Sequence, residues 1–582
     1  MAKTLVAHEQ PISRIFNDEY VFRIPDYQRP YAWGADQARE LFEDLVGFMQ
    51  ENAGEISEMP PYFLGSIVLI KGDASPQADV VDGQQRLTTL TLLFSAIRAT
   101  APSAASDITR LIYERGNTVI GTQDRFRLTL REKDRDFFRD NVQREVGLSK
   151  LASSTEQLRD SRQNLRANAQ LFIDKLGAMP ETERVRLATF VATRCFLVVV
   201  ATPDLHSAYR IFSVLNSRGL ELSATDILKA RIIAKVPEAK RNEYATKWED
   251  SEDDLGREAF GDIFSHIRMI YRKAKPQGTL LKEFEDHVKV AEQPQEFIDK
   301  VLLPSADAYG ELVAASYSST RNAAAVNALL KWLNRLAFND WLPPALAFSV
   351  QYRHDPDAML RFFRDLERLG YYMLATKAGV NERIERFSKI TTAVQDSEAI
   401  SGAGKLWLDT SSLQLSKTEQ FAMYVALNGP VYDSLAARSA STLLLRLDSL
   451  LSGGGAHYDY EIITVEHVLP QTPPAGSQWL TWFPDPKVRV EWLNRLGNLA
   501  LLTRKKNSSA SNYDFAKKKD TYFKREGVSP FALTTEVLAV DAWTPKVVQT
   551  RQEKHIESLE KHWRLEARQD PASVLLQELG AS

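Results

Sequence analysis

The chain reads as α+β and predominantly helical, and three observations carry that reading. Apolar runs of strand type gather near the start, at 63–70 (FLGSIVLI), at 78–81 and in the run FLVVVAT that ends at Thr202. From about 237 to 449 apolar residues recur at helical spacing, as in 324–336 and 357–374. A Ser-Gly-Gly-Gly tract at 452–455 then precedes a strand-like segment at 458–468. The expected division is 1–235 with a small mixed sheet, a helical middle at 236–449, and a last domain at 450–582.

Composition bounds the function. At 582 residues the chain exceeds one domain of roughly 100–200 residues. Hydrophobic content of 44%, charged content of 26% and a net charge of −3 are those of an ordinary globular protein with no overall attraction to nucleic acid. Any nucleic-acid surface is therefore local. Cys195 is the single cysteine, which excludes a disulfide framework, a CxxC zinc ribbon and a two-cysteine redox pair. The N-terminus MAKTLVAHEQPISRIF lacks a signal-peptide core, and no run of about 18 apolar residues could span a bilayer. A cytoplasmic protein without a membrane partner is expected.

In chain order, 22–33 (FRIPDYQRPYAW) is shaped by Pro25 and Pro30 and sets Tyr27, Gln28, Tyr31 and Trp33 beside Arg29. The rings either stack on a base or pin the loop to the core. Residues 36–49 suit an amphipathic helix with Leu41, Leu45 and Phe48 on one face. At 81–90 (VDGQQRLTTL) a strand hands over to a helix at Asp82 and Gly83, followed by Gln84, Gln85 and Arg86. Such a junction binds phosphate through helix N–H groups and a guanidinium fork. The alternative is a tight turn capped by Asp82 with Arg86 in a surface ion pair. A strand at 126–130 and the buried FLVVVAT strand complete the small sheet. Asn216, Ser217, Arg218 and Gly219 either turn a helical hairpin or form a second wall for the Arg86 site. Ser223 suits an N-cap for the next helix, which carries Asp226 and Lys229.

The last domain carries sharper chemistry. In 464–471 (TVEHVLPQ), Glu466 and His467 would face opposite sides of a regular strand, so a turn must re-aim one if both serve a single site. Histidine can take a proton from water when its ring is oriented, while Glu466 and Asn507 offer oxygen ligands suited to Mg²⁺ or Mn²⁺. The alternative is a half-buried histidine beside a surface glutamate. Between Arg504 and Arg525 eight Lys or Arg residues stand against Asp514 and Asp520, interleaved with aromatics. Arg504, Lys505, Lys506, Lys517, Lys518 and Lys519 are the expected DNA contacts, with a solvated basic helix as the alternative.

EHVLPQ followed by LGNLALLTRKKN resembles the His-Me-finger (HNH) nuclease core, which implies a ββα frame holding one divalent metal. By that resemblance His467 is the general base, Glu466 the acidic metal ligand, Asn498 the support for base and loop, and Asn507 the helix-borne metal ligand. Many such nucleases have Asp where this chain has Glu466. YQRPYAW, FLGSIVL, VDGQQRLTTL and LNSRGLELSATDILK resemble the ParB/sulfiredoxin-like domain joined to this nuclease in GmrSD-type, type IV modification-dependent restriction proteins.

The resemblance implies an anti-phage DNA endonuclease or nickase, gated by an N-terminal domain that hydrolyses GTP or ATP and senses modified phage DNA. Glucosylated or hydroxymethylated cytosine and phosphorothioate are the candidate modifications. Asp82, Gly83, Gln84, Gln85, Arg86, Arg29, Asn216 and Arg218 would form the nucleotide site, with Mg²⁺ or Mn²⁺ at the nuclease. The residues alone do not separate a nucleotide phosphate from a DNA phosphate. A homo-oligomer is compatible with the reading. The alternative is a non-catalytic DNA-binding or toxin-like defence protein.

Overall fold

A computed structural model describes residues 6–26, 28–52, 54–72, 75–117, 119, 121–158, 160–203, 207–208, 224–290, 292–396, 412–454, 458, 460, 462–503, 513–523 and 529–569. The chain forms two compact units, Met1–Asp250 and Ser251–Ser582, and the expected boundary at 449/450 falls inside the second.

The first unit is built on strands β1 (Val6–Pro11), β2 (Val21–Arg23), β3 (Tyr62–Ile70), β4 (Gln77–Asp82), β5 (Tyr113–Glu114), β6 (Arg125–Phe126), β7 (Leu128–Thr129) and β8 (Cys195–Thr202). Six of them form one sheet in the order β1-β8-β3-β4-β2-β7, and β5 pairs with β6 apart from it. The sheet is mixed, as expected: β3–β8, β2–β4 and β2–β7 are parallel, whereas β1–β8 and β3–β4 are antiparallel. The FLVVVAT strand does not close the sheet. It lies inside, because VAHEQP of β1 pairs along its outer side. The single strand expected at 126–130 is split at Arg127, with β6 pairing to β5 and β7 to β2.

Helix Gln84–Thr100 is the core element of this unit. Leu87, Leu90, Leu93 and Ile97 are buried as their spacing requires, yet so are Thr88, Thr89, Thr91 and Ser95. In such a helix a threonine hydroxyl can bond back to a carbonyl one turn earlier. Thr89 and Thr91 accordingly donate to the carbonyls of Gln85 and Leu87, each at 2.8 Å. Helix Ala35–Glu51 buries Ala38, Phe42, Leu45 and Met49, a face slightly rotated from the expected one, with Leu41 and Phe48 at its margins.

Among its described residues the second unit is helical apart from β9 (Thr464–His467) and β10 (Leu499–Leu502), an antiparallel pair. Of the strand-like segment 458–468, only these four residues of β9 are strand among those described. Helix Pro545–Trp563 packs on helices Lys417–Asn428 and Ala437–Leu451. Fully buried Glu367 ties this packing together, receiving Arg446 Nε at 2.8 Å and Trp563 Nε1 at 2.9 Å. Burial opposes its ionisation, but Arg446 and His562 prevail and hold its pKa at about 2. Side chains, not further strands, satisfy the backbone around β10. Thr534 Oγ1 brackets Leu501, and Arg551 Nη1 donates to the carbonyls of Gly497 and Leu499 at 2.7 and 2.9 Å. Among the described residues no helix is long and apolar enough to cross a membrane.

Candidate functional site

Each unit brings together one of the two constellations marked in the sequence. In the first, β4 passes into helix Gln84–Thr100 through Gly83, whose φ is +92°. A Cβ there would lie 2.4 Å from Ile67 Cγ2, so the turn admits only glycine. Gly83 is the N-cap and has no side chain to offer the helix, whose first turn contains no acid. Arg86 is half-buried and not in a surface pair. Its Nη1 donates to Ser66 O at 3.0 Å, and burial draws its pKa below the usual arginine value, with Asp82 opposing.

The two glutamines face the protein. Gln85 Oε1 accepts the amides of Ala32 and Trp33 at 2.8 and 3.2 Å, and its Nε2 donates to Pro30 O at 3.1 Å. Gln84 Nε2 donates to Gln28 Oε1 at 3.2 Å, while Gln28 Nε2 donates to Val81 O at 2.9 Å. Both amides expected at a nucleotide thus hold the loop 28–33 against the DGQQR turn. Tyr31 also serves that loop. It is buried, with its hydroxyl 2.8 Å from both Thr89 Oγ1 and Asn168 Nδ2, and burial pushes its pKa up to about 12. Its ring pins the loop and does not stack on a base. Arg29 lies half-buried between these anchors. Tyr27, Asn216 and Arg218 lie outside the described residues.

Sequence reasoning missed the charged network behind the loop. Arg131 Nη2 contacts Asp134 at 3.0 Å, its Nη1 contacts Glu249 at 2.5 Å, and Lys229 Nζ reaches the same Glu249 oxygen at 2.8 Å. Arg131 Nη1 also donates to Gln28 O at 3.4 Å. Of these, only the Arg131–Asp134 spacing was visible as a local pair.

In the second unit β9 holds Glu466 opposite Ala500 and His467 opposite Leu499 in regular register. No turn re-aims either side chain, and different partners meet them. His467 Nε2 is 2.9 Å from Asn494 Oδ1, and the Tyr432 ring stands edge-on to the imidazole at 4.4 Å between centroids. Tyr432 N donates to Asn494 O at 3.1 Å, which joins the three residues. An amide oxygen only accepts, so in this contact Nε2 is the donor.

Asn498 is bonded to the loop that follows β9. Fully buried, it accepts Leu469 N at 2.7 Å and Trp543 Nε1 at 3.0 Å through Oδ1, and donates to Leu469 O and Leu493 O at 3.2 and 2.9 Å. Contact with the His467 ring belongs to Asn494. Asn494 and Asn498 lie so close together in WLNRLGN that spacing could not rank them, and nothing local marked Tyr432.

Glu466 meets Lys518. The ammonium lies 3.2 Å from Glu466 Oε1 and donates to the carbonyls of His467 and Val468 at 2.5 and 3.1 Å. Lys518 is 0% exposed, so it presents no charge to a duplex and the expected DNA contact is corrected for it. Lys519 is also turned inward, donating to Val540 O at 2.7 Å. Lys517 is exposed beside the Tyr513 ring at 3.9 Å. Arg504, Lys505, Lys506 and Asn507 lie outside the described residues. A direct Mg²⁺ or Mn²⁺ ligand at Glu466 does not fit this arrangement, since a lysine already neutralises that buried carboxylate. Among the described residues no group of three or more His, Cys, Asp or Glu could hold a metal ion.

Comparison with known proteins bears on both sites. No curated protein matches the chain. Residues 12–233, which contain Arg29 and the DGQQR turn, match the family model of the GmrSD restriction endonuclease N-terminal domain. Residues 424–557, which contain Tyr432, Glu466, His467, Asn494, Asn498 and Lys518, match that of the GmrSD restriction endonuclease C-terminal domain. With both domains present in order on one polypeptide, the chain belongs to the GmrSD restriction endonuclease family.

Proposed function

We propose that the chain is a modification-dependent DNA endonuclease or nickase directed against phage DNA, whose C-terminal site is gated by GTP or ATP hydrolysis in the N-terminal unit. The observation that carries the cutting half is the bond from His467 Nε2 to Asn494 Oδ1, 2.9 Å long. It supports His467 as general base. Asn494 fixes the neutral tautomer, Nδ1 takes a proton from water as its oxygen attacks phosphorus, and the 3′ oxygen leaves. Tyr432 and the Asn498-supported loop hold the ring and its strand in place. The reading includes a Mg²⁺ or Mn²⁺ requirement, which rests on family resemblance and to which no described residue is assigned.

For the gating half, the support is the Gly83 turn, a first helical turn that contains no acid, and half-buried Arg86. The test is a digestion panel of unmodified, glucosylated, hydroxymethylated and phosphorothioated DNA, with and without GTP or ATP. Cleavage is expected to require a modified substrate and nucleotide, and to vanish in His467→Ala. Wild-type protein that cuts none of these under any metal or nucleotide would leave a non-catalytic DNA-binding protein.

A further inference from the structure

We infer that Lys518 is a positioning residue for His467, and that Lys518, not a metal ion, is the direct cationic partner of Glu466. The cleavage arm of the test rests on the nuclease reading above; the other arms do not.

Lys518 ends the short helix Phe515–Lys518 and is wholly enclosed. An ammonium has three N–H donors, and three oxygens surround this one: Glu466 Oε1 and the carbonyls of His467 and Val468. The rings of Phe523 and Trp479 face it at 5.8 and 6.0 Å. Burial of a lysine head is unfavourable unless charge and hydrogen bonds compensate, and here both do. The contact set is specific to the base. An ion pair neutralises the residue before His467, one hydrogen bond grips the carbonyl of His467 itself, and another grips that of the residue after it. The strand end is thereby fixed along its main chain, while Asn494 fixes the ring. A divalent ion bound directly by Glu466 would have to displace the ammonium or take the other carboxylate oxygen, setting two cations a few ångströms apart in buried space, where like charges repel strongly.

The test uses the full chain in three arms. Lys518→Met keeps the apolar stem and removes the charge; Glu466→Gln keeps shape and acceptor; Lys517→Met is the exposed neighbour. In nicking assays Lys518→Met is expected to lose turnover about 100-fold at saturating DNA, the scale of a misplaced catalytic group, with DNA affinity and its salt dependence unchanged. By NMR, the His467 imidazole signals, assigned with His467→Ala, are expected to shift in Lys518→Met and to stay in place in Lys517→Met. By calorimetry, Mn²⁺ affinity is expected to be the same in wild type and Glu466→Gln; absence of Mn²⁺ binding in both agrees equally.

Three results would overturn the inference: weaker DNA binding with a flatter salt slope and normal turnover in Lys518→Met, unmoved His467 signals in that variant, or a loss of about tenfold or more in Mn²⁺ affinity in Glu466→Gln. If Lys518→Met does not fold, the double variant with Glu466→Gln removes both charges together and carries the same NMR readout. Wild-type protein that never nicks DNA defeats the nuclease reading, while NMR and calorimetry still decide this one.

Discussion

Gly65 and Arg86 fit one another: a Cβ on Gly65 would stand 3.1 Å from Nη2 and 3.2 Å from Cζ of the guanidinium. Gly65 also has φ +99° where β3 breaks register, a conformation that disfavours any side chain. FLGS and DGQQR are therefore two halves of one fitting. Gly65→Ala is expected to cost about 1–3 kcal/mol through strain and to displace Arg86, lowering nucleotide turnover. Arg86→Ala is expected to abolish turnover and to cost about 1–3 kcal/mol, because Ser66 O loses its donor. Turnover assays with denaturant melts check both; unchanged turnover in Arg86→Ala removes the nucleotide from this site.

Two asparagines in WLNRLGN have different partners: Asn494 meets the His467 ring and Asn498 the loop after β9. Asn494→Ala removes the partner of His467 from a half-buried position and is expected to lower cleavage about 100-fold with little loss of stability. Asn498→Ala strips Leu469 N and Trp543 Nε1 of their acceptor and is expected to destabilise the second unit by about 3 kcal/mol. Circular dichroism melts beside nicking rates distinguish the two. Equal effects on both readouts would remove the division of labour between them.

What could be read in advance followed the range of the signal. Runs such as FLGSIVLI and FLVVVAT declare strands because their burial is continuous, and Asp-Gly before an apolar run declares the turn at Gly83. VAHEQP does not, since a polar edge strand ending in proline exists only through its pairing with β8. The Lys517–Lys519 run reads as a set of DNA contacts, yet the carboxylate that draws Lys518 inward lies on β9, far back in the sequence. The partners of Gln84 and Gln85 were hidden for the same reason: they lie in residues 28–33, an earlier segment.

Acid is expected to destabilise the second unit through His266. Burial, with Arg268 nearby, lowers its pKa to about 4, so the folded state holds it neutral where an unfolded histidine at 6.5 would be charged. Between these values the unfolded state binds more protons, so stability is complete above about pH 6.5 and declines as pH falls toward 4. The full loss from this residue is about 3 kcal/mol. His266→Phe, which preserves contact with Tyr309, should flatten that part of the pH profile. Denaturant unfolding from pH 7.5 to 4 measures it; identical slopes in the two proteins would exclude His266 as the cause.

An endonuclease that cut unmodified DNA at will would attack its own host, so two sites on one chain make sense when the first governs the second. The Gln28 carbonyl, held near the DGQQR turn, meets Arg131, and Arg131 in turn holds Glu249, one residue before the first unit ends. If modified DNA and nucleotide act through that unit, each must change the affinity of the other by the same factor, because coupling between bound ligands is reciprocal. Titration of each in the presence of the other, with His467→Ala protein to prevent cutting, is expected to give matching factors of about 5–150-fold. Glu249→Gln, which weakens the grip of Arg131 and Lys229, is expected to shrink both factors together. Independent isotherms, with wild-type cleavage indifferent to nucleotide and to modification, would end the gating idea.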